Sequence, residues 1–215
     1  MEFFLISINP IDVFLWTFRK NERDVVNLYN TMSPVMQIAT GGSMLNFGYW
    51  SSEHLDPISA QENLCNLFGN LSELSTAKTV LDVGSGLSAP SKLWRDSYPD
   101  LNLYDVNINF KQLSFLKDTK NIEFLNSTST KLPFMDNSVD RVLALESAQH
   151  FKPLEDFISE SKRVLMKSGF LIMAVPITLK NSSLSKLGLL KFTWSSEHYS
   201  LNYLKNLISS NGFKI

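Results

Sequence analysis

The residues best suited to chemistry lie in the segment KTVLDVGSGLSAP, residues 78–90. In this segment an apolar run leads to the acidic residue Asp82 and then to a turn made of Gly84, Ser85 and Gly86. This order is typical of a buried strand that passes through a loop into a helix. Glycine tolerates a positive φ and lets the backbone come close to a ligand, while the N-terminus of the following helix offers unpaired N–H groups. The segment therefore predicts a nucleotide-binding site.

The acidic residue narrows the choice of nucleotide ligand. A carboxylate at this position would repel a pyrophosphate, but it suits a ligand with a cationic amino-acid part. Residues 84–89 also fit the loose dinucleotide fingerprint G-x-G-x-x-G/A, so an NAD-dependent oxidoreductase is an alternative. The order apolar-apolar-Asp-x-Gly-x-Gly resembles the first motif of the class I S-adenosylmethionine (SAM) dependent methyltransferases. That resemblance implies SAM as the cofactor, bound in part by Asp82, Gly84, Ser85 and Gly86.

The next apolar run, residues 101–107, predicts the second strand of a sheet. In open α/β folds that bind nucleotides, the ribose lies at the C-terminal end of this strand. The resemblance implies that Asn107 binds the ribose, although the family usually has Asp or Glu there. An amide binds a hydroxyl with less energy than a charged acceptor does, so we expect a weaker hold on the ribose. Asp105, two residues earlier on the strand, is the alternative ribose ligand.

Two further strands are predicted between residues 122 and 145. The apolar runs are residues 122–125 and 139–145, and Leu-Pro-Phe at 132–134 forms a loop between them. This arrangement resembles the branch of the family that modifies small molecules. In that branch an Asp-Ala pair four residues before the loop binds the adenine amino group, whereas this chain has Thr128 and Ser129. The resemblance implies that these two residues contact the adenine without the help of a charge.

The end of the fourth predicted strand carries two ionisable side chains, Glu146 and His150. Both fall at the C-terminal edge of the sheet, where open α/β folds bind their ligands. In the methyltransferases that this chain resembles, a histidine here lies beside the transferred methyl group, which implies that His150 is a catalytic base. The alternative is a histidine that only packs or caps a helix, since methyl transfer can proceed by positioning alone. Glu146 is expected to contact the amino group of the cofactor or to be structural.

An aromatic segment precedes the first strand. Residues 46–50, NFGYW, resemble the N-x-G-Y-W signature of small-molecule methyltransferases, which implies that Tyr49 closes over the cofactor and its sulfonium. A loop that only packs the N-terminal helix on the core is the alternative. Residues 23–40 predict a helix that ends near Ser33 and Pro34, followed by a second short segment. Together these residues predict a lid over the cofactor.

The composition is that of a single enzyme domain. The chain has 215 residues, of which 44% are hydrophobic and 19% charged, and this length can bury a sizeable core. A net charge of −1 and the lack of a basic run speak against a nucleic-acid partner. The single cysteine, Cys65, excludes an internal disulfide and is expected to be a core residue on the helix before the first strand. The three histidines are too widely spaced for a metal motif, so we predict no metal.

The apolar segment at residues 1–18 contains Glu2, Pro10 and Asp12 and lacks a basic leading region. It therefore predicts neither a signal peptide nor a membrane-spanning helix. We expect this segment to pack against the lid. The chain is accordingly predicted to act in the cytoplasm, without stable membrane insertion.

The last part of the chain predicts a helix ended by Gly169, a strand at 170–175, a helix at 201–209 and the opening of a sixth strand at 213–215. The long connection at 177–197 lies where the family builds its substrate specificity, because loops at this edge contact substrates. Since full-length members continue through a hairpin of strands 6 and 7, we expect this sequence to lack that hairpin.

These observations predict an α/β fold with a Rossmann-like doubly wound sheet of the class I methyltransferase type. Residues 1–50 are expected to form an N-terminal helical lid, and residues 51–215 a SAM-binding domain without its C-terminal hairpin. The predicted function is SAM-dependent methyl transfer to oxygen, nitrogen or carbon of a small, partly hydrophobic molecule. The alternatives are an NAD-dependent oxidoreductase and a non-catalytic protein that uses the fold for binding. The sequence does not predict the oligomeric state.

Overall fold

The structure is a computed structural model that describes residues 11, 21–116, 119–178 and 199–215. Nearly all of the apolar segment at 1–18 and of the connection at 177–197 lies outside the described residues. The packing predicted for the first segment and the substrate selection predicted for the second therefore stay predictions.

A sheet of five parallel strands forms the centre of the described chain, in the order β3-β2-β1-β4-β5. The strands are β1 (Thr79–Val83), β2 (Asn102–Asn107), β3 (Ile122–Asn126), β4 (Val139–Leu145) and β5 (Leu165–Ala174). The chain builds the sheet outward from β1 to β3 and then returns to the other side of β1 with β4. In open α/β sheets, ligands bind in the crevice at this switch point. The predicted doubly wound fold is confirmed.

Helices connect the strands and cover both faces of the sheet. They are α1 (Glu22–Thr40), α2 (Pro57–Leu71), α3 (Ala89–Ser97), α4 (Phe110–Ser114), α5 (Leu154–Val164) and α6 (Leu201–Ser210). A separate pair of two-residue parallel strands, β6 (Ile177–Thr178) and β7 (Tyr199–Ser200), was not predicted from the sequence.

The core consists of two apolar clusters, one on each face of the sheet. Leu81 of β1 belongs to the cluster that contains Phe157 of α5, whereas the adjacent Val80 belongs to the cluster that contains Trp94 of α3. Neighbouring residues of a strand point to opposite faces, so both faces of this sheet are buried. Cys65 is buried on α2, as the sequence predicted.

The predicted break in the first helix at Ser33 and Pro34 is wrong, because α1 continues through both residues to Thr40. A proline inside a helix removes one hydrogen bond and costs about 3 kcal/mol. Here the helix begins with a complete capping box at Asn21, and its buried residues include Leu28. Ser33 also donates a side-chain hydrogen bond of 2.6 Å to the carbonyl of Tyr29. The capping box, the burial of Leu28 and the side-chain bond of Ser33 together therefore outweigh the local penalty.

Two predicted boundaries near the C-terminus are also wrong. Helix α5 ends at Val164, not at Gly169, because Leu165 already pairs with Val139 of β4. Gly169 lies inside β5, where the register with β4 shifts, and a Cβ there would lie 3.0 Å from the carbonyl oxygen of Asp140. Residues 213–215 form no strand. Instead Phe213 packs on the core cluster of the α5 face.

Two carboxyl groups lie side by side in the sheet, because the register of β1 and β2 pairs Asp82 with Asp105. Both are buried, and Ser91 Oγ of α3 lies 2.6 Å from Asp105 Oδ1 and 3.2 Å from Asp82 Oδ2. Burial and the neighbouring Asp105 raise the pKa of Asp82 well above its usual range, and burial raises the pKa of Asp105 to about 6. The pair is therefore most stable when it holds a proton.

We expect Phe157→Ala to lower the free energy of unfolding by about 3–5 kcal/mol, because it opens a cavity in a packed core. Urea denaturation monitored by circular dichroism measures this loss. Phe110→Ala is the matched control, since that ring is 68% exposed, and it should change stability by less than about 0.5 kcal/mol. Equal losses in both variants would contradict the described core.

The carboxyl pair predicts a pH dependence of stability. In the unfolded chain an aspartate has a pKa of about 3.9. A folded-state pKa raised to about 6 adds stability at low pH, and this is lost as the pH rises through the folded value. We therefore expect Asp105→Asn to gain in stability relative to the wild type as the pH is raised from about 5 to about 7.5. The exposed Asp100→Asn is the control, and parallel pH curves for Asp105→Asn and the wild type would refute a shared proton.

Candidate active site

A cleft opens at the C-terminal edge of the sheet, with an empty volume of about 940 Å³ including the space open to solvent at its mouth. Most of the residues predicted from the sequence to form the site line it. They are Asp82, Gly84, Ser85, Gly86, Asn107, Thr128, Ser129, Glu146 and His150. Tyr49 is not among the lining residues. The fold thus brings together residues from the C-terminal ends of β1, β2 and β4 and from the loops that follow β1, β2, β3 and β4.

Both glycines of the turn have a positive φ, and Gly84 has no room for a side chain. Gly84 has φ +78°, and a Cβ on it would lie 2.5 Å from Cβ of Ser147. Gly86 has φ +57°, and a Cβ on it would lie 3.1 Å from Leu45, which lines the cleft. Between them, Ser85 Oγ is buried and has no hydrogen-bond partner among the described residues. The turn is therefore a backbone cradle with one hydroxyl left to bind a ligand.

Asn107 braces this turn from the end of β2. Its side-chain nitrogen donates to the carbonyl of Gly86 at 3.1 Å and to Gln112 Oε1 at 2.9 Å. Its oxygen accepts a hydrogen bond of 2.9 Å from the backbone N–H of Asn109. The sequence predicted a ribose ligand here, and that role stays a prediction. The structure adds a role that the sequence did not predict, which is to fix the position of the glycine turn.

Thr128 and Ser129, the two residues predicted to contact adenine, both line the cleft. Thr128 Oγ1 donates a hydrogen bond of 2.7 Å to Glu22 Oε1, at the start of α1. Ser129 is buried beside it. The wall therefore includes a carboxylate from the N-terminal helix that sequence reasoning missed.

Glu146 connects the end of β4 to the aromatic segment. Its Oε2 accepts a hydrogen bond of 2.7 Å from the backbone N–H of Phe47, and burial raises the pKa of this carboxyl. Tyr49 follows in the same segment, where its backbone N–H donates to the carbonyl of Ala60 at 2.8 Å. The Tyr49 side chain is 53% exposed. The segment is thus fixed by its backbone, and the predicted closure of Tyr49 over the cofactor stays a prediction.

His150 is buried at the cleft and contacts Tyr29 of α1. A hydrogen bond of 3.0 Å joins Tyr29 Oη and His150 Nε2, and the two rings meet edge to face with their centroids 5.4 Å apart. Burial, and then the charge of Glu146, raises the pKa of Tyr29 to about 12. Tyr29 was not predicted as a site residue. The only signal for it in the sequence is its spacing of four residues from Val25, which also lines the cleft.

Helix α1 lines the cleft through Glu22, Val25 and Tyr29, and four hydrogen bonds between side chains hold it there. Besides the bonds of Glu22 and Tyr29, Asn30 Oδ1 accepts a hydrogen bond of 3.1 Å from Asn109, and Ser33 Oγ accepts one of 2.9 Å from Gln112. These four contacts reach segments that follow three different strands. The role of residues 1–50 as a lid and the division of the chain at residue 50 stay predictions.

Within the described ranges, no group of three histidine, cysteine or acidic side chains is arranged to hold a metal ion. The described helices are likewise too short or too polar to cross a membrane.

Residues 81–173 match the family described as a methyltransferase domain. The chain is 26% identical over 175 residues to erythromycin 3''-O-methyltransferase of Saccharopolyspora erythraea, a stretch that covers 77% of this chain and 57% of that enzyme. The chain thus spans little more than half the length of this relative.

Solved structures share the fold. The [4+2]-cyclase SpnF superimposes with a TM-score of 0.79 at 19% identity, over 91% of this chain and 74% of that one. The mycolic acid cyclopropane synthase CmaA1, in complex with SAH and CTAB, superimposes with a TM-score of 0.67 at 18% identity, over 97% of this chain and 77% of that one. None of these matches supports the NAD-dependent oxidoreductase. The family match over residues 81–173 and the order of the sheet agree, and they confirm the predicted resemblance to the class I SAM-dependent methyltransferases.

Proposed function

We propose that this protein transfers the methyl group of SAM to a small molecule bound beside His150. The observation that carries this proposal is the single cleft that joins the glycine turn to His150 and Tyr29. One end offers backbone and hydroxyl groups suited to a nucleoside, and the other offers groups that can bind a reacting atom. Both ends lie at the switch point of the sheet.

The residues of the cleft fit SAM in three respects. Ser85 Oγ is buried and unpartnered among the described residues, which suits a polar ligand at the turn. The glycine cradle would be filled by any added Cβ. The described lining of the cleft contains the carboxyl groups of Asp82 and Glu146 and no lysine or arginine, which suits the cationic amino-acid end of SAM better than the pyrophosphate of NAD.

When bound, SAM supplies a methyl group on a positively charged sulfur, which is open to direct displacement by a nucleophile. The turn from Gly84 to Gly86 fixes the cofactor end of the cleft, and His150 lies ready to take a proton at the other end. Helix α1 covers the cleft and restricts the entry of water. The reaction therefore depends mainly on the positioning of two bound molecules.

The substrate that we propose is small and partly hydrophobic, because Val25, Leu45 and Phe151 line the cleft beside the polar residues. The name of the relative from Saccharopolyspora erythraea states methylation of erythromycin at an oxygen, which supports a small molecule as the acceptor. The acceptor atom is oxygen, nitrogen or carbon. The cytoplasmic location, the lid at residues 1–50 and the cofactor domain at 51–215 remain predictions.

Isothermal titration should detect binding of SAM and no binding of NAD. Gly86→Ala should weaken SAM binding by about tenfold or more, because the added Cβ meets Leu45 and strains a residue with positive φ. Gly212→Ala is the matched control, since Gly212 also has a positive φ, of +75°, but is not among the residues that line the cleft. Binding of NAD but not SAM by the wild type would overturn the proposal.

Restoring the acidic residue that is usual in the family should not help this protein. In Asn107→Asp a carboxylate oxygen would face the carbonyl of Gly86, which now accepts a hydrogen bond from Asn107. We expect SAM affinity to fall by about tenfold, since two acceptors cannot pair and the glycine turn loses its brace. Asn102→Asp, at the exposed start of the same strand, is the control. Tighter SAM binding in Asn107→Asp would show that the ribose contact outweighs the brace.

A further inference from the structure

The hydrogen bond between Tyr29 and His150 determines how a proton can leave the substrate. His150 is only 8% exposed, and its Nε2 is 3.0 Å from Tyr29 Oη. Both residues line the cleft, and they come from two different elements, Tyr29 from α1 and His150 from the short helical turn that follows β4. A substrate that enters the cleft therefore meets the tyrosine hydroxyl beside a nitrogen already engaged by it.

We propose that Tyr29 is a catalytic residue that relays the proton of a hydroxyl acceptor to His150. This inference rests on the proposed methyltransferase function, and it assigns the acceptor as a hydroxyl group. Before reaction, Tyr29 donates its hydrogen to Nε2 of His150, and the substrate hydroxyl donates its own hydrogen to Tyr29 Oη.

The step is balanced in atoms and charge. The substrate oxygen forms a bond to the methyl carbon while the bond from that carbon to sulfur breaks, and its electron pair stays on sulfur. The substrate O–H bond breaks, its proton passes to Tyr29 Oη, and the tyrosine proton passes to His150 Nε2. The products are the methyl ether, the neutral thioether and a histidinium, which later releases its proton to solvent.

The residues around Tyr29 and His150 favour this coupled proton transfer over a stable tyrosinate. Burial and the charge of Glu146 keep the pKa of Tyr29 near 12, so the phenol stays protonated between turnovers. Of the described side chains at the cleft, Glu22, Asp82 and Glu146 carry carboxyl groups, and no lysine or arginine lines it. No described cation of the cleft lining therefore opposes a positive charge on His150.

The need for a relay indicates the class of acceptor. A neutral alcohol is a weak nucleophile unless its proton is removed as the new bond forms, so a base accelerates its methylation. A carboxylate acceptor is already ionised near neutral pH and gains little from a base. A buried general base beside the cleft therefore accelerates the methylation of a hydroxyl substrate most.

The protonation state of His150 Nε2 tests the relay, and this measurement does not require the natural substrate. The chain has three histidines, so nitrogen-15 resonances can be assigned to His150 by comparison with His150→Gln. At about pH 7.5 we expect Nε2 of His150 to be unprotonated in the wild type, and its resonance to move in Tyr29→Phe. Tyr98→Phe is the control, since its hydroxyl bonds Asn70 away from the cleft and its loss should leave the resonance in place. A protonated Nε2 in the wild type would overturn the relay, because that nitrogen could not accept a proton.

Turnover with radiolabelled SAM tests the acceptor. With erythromycin carrying a free 3''-hydroxyl, or another alcohol that the wild type methylates, Tyr29→Phe should lower kcat by roughly 10- to 100-fold and His150→Ala by about 10²- to 10⁴-fold. KM and the Kd for SAM should stay close to the wild-type values. If the wild type methylates palmitate, a carboxylate, Tyr29→Phe should leave the rate of that reaction nearly unchanged. Unchanged kcat for an alcohol in Tyr29→Phe would overturn the inference.

The two proposals fail in different ways. A wild type that binds no SAM in titration overturns the methyltransferase function itself. A wild type that binds SAM but has a protonated Nε2 overturns the relay alone. Melting curves of Tyr29→Phe and Tyr98→Phe show whether either variant is unfolded. Each variant loses only one hydroxyl, so both should still unfold in a cooperative transition.

Discussion

The close contact between the ends of β1 and β4 is the constraint on which the site depends. Gly84 follows β1, and no side chain fits there because a Cβ would lie 2.5 Å from Ser147. Ser147 in turn donates a hydrogen bond of 2.7 Å to the carbonyl of Val83, while the N–H of Gly84 donates one of 2.7 Å to the carbonyl of Val106. Three strand ends are thus held together, and the cleft forms above them.

Polar contacts extend this arrangement outward to the lid. Asn107 braces the glycine turn, and Glu146 fixes the aromatic segment through the N–H of Phe47. The lid helix then bonds Thr128, Asn109, Gln112 and His150, each through a side chain. Since buried or half-buried hydrogen bonds cost energy when one partner is removed, this network favours the observed position of α1. Residues of α1 therefore complete the lining of the cleft.

The fold by itself does not decide the chemistry. The chain shares its architecture with a [4+2]-cyclase as well as with a cyclopropane synthase, both at identities below 20%. Function must therefore be argued from the residues of the cleft. The cleft brings the backbone of the glycine turn together with the buried side chains of Tyr29 and His150. The proposed link between cofactor binding and proton removal rests on that arrangement.

The sequence by itself determined the parallel sheet and the glycine turn, because each is marked by a local pattern of apolar runs and turn residues, and all but one of the site residues that it predicted line the cleft. It did not predict that α1 passes through Pro34 or that β5 begins at Leu165, since tertiary contacts outweighed the local signals. Tyr29 and Glu22 also escaped prediction. Their partners are 121 and 106 residues away along the chain, so only the folded structure brings them together.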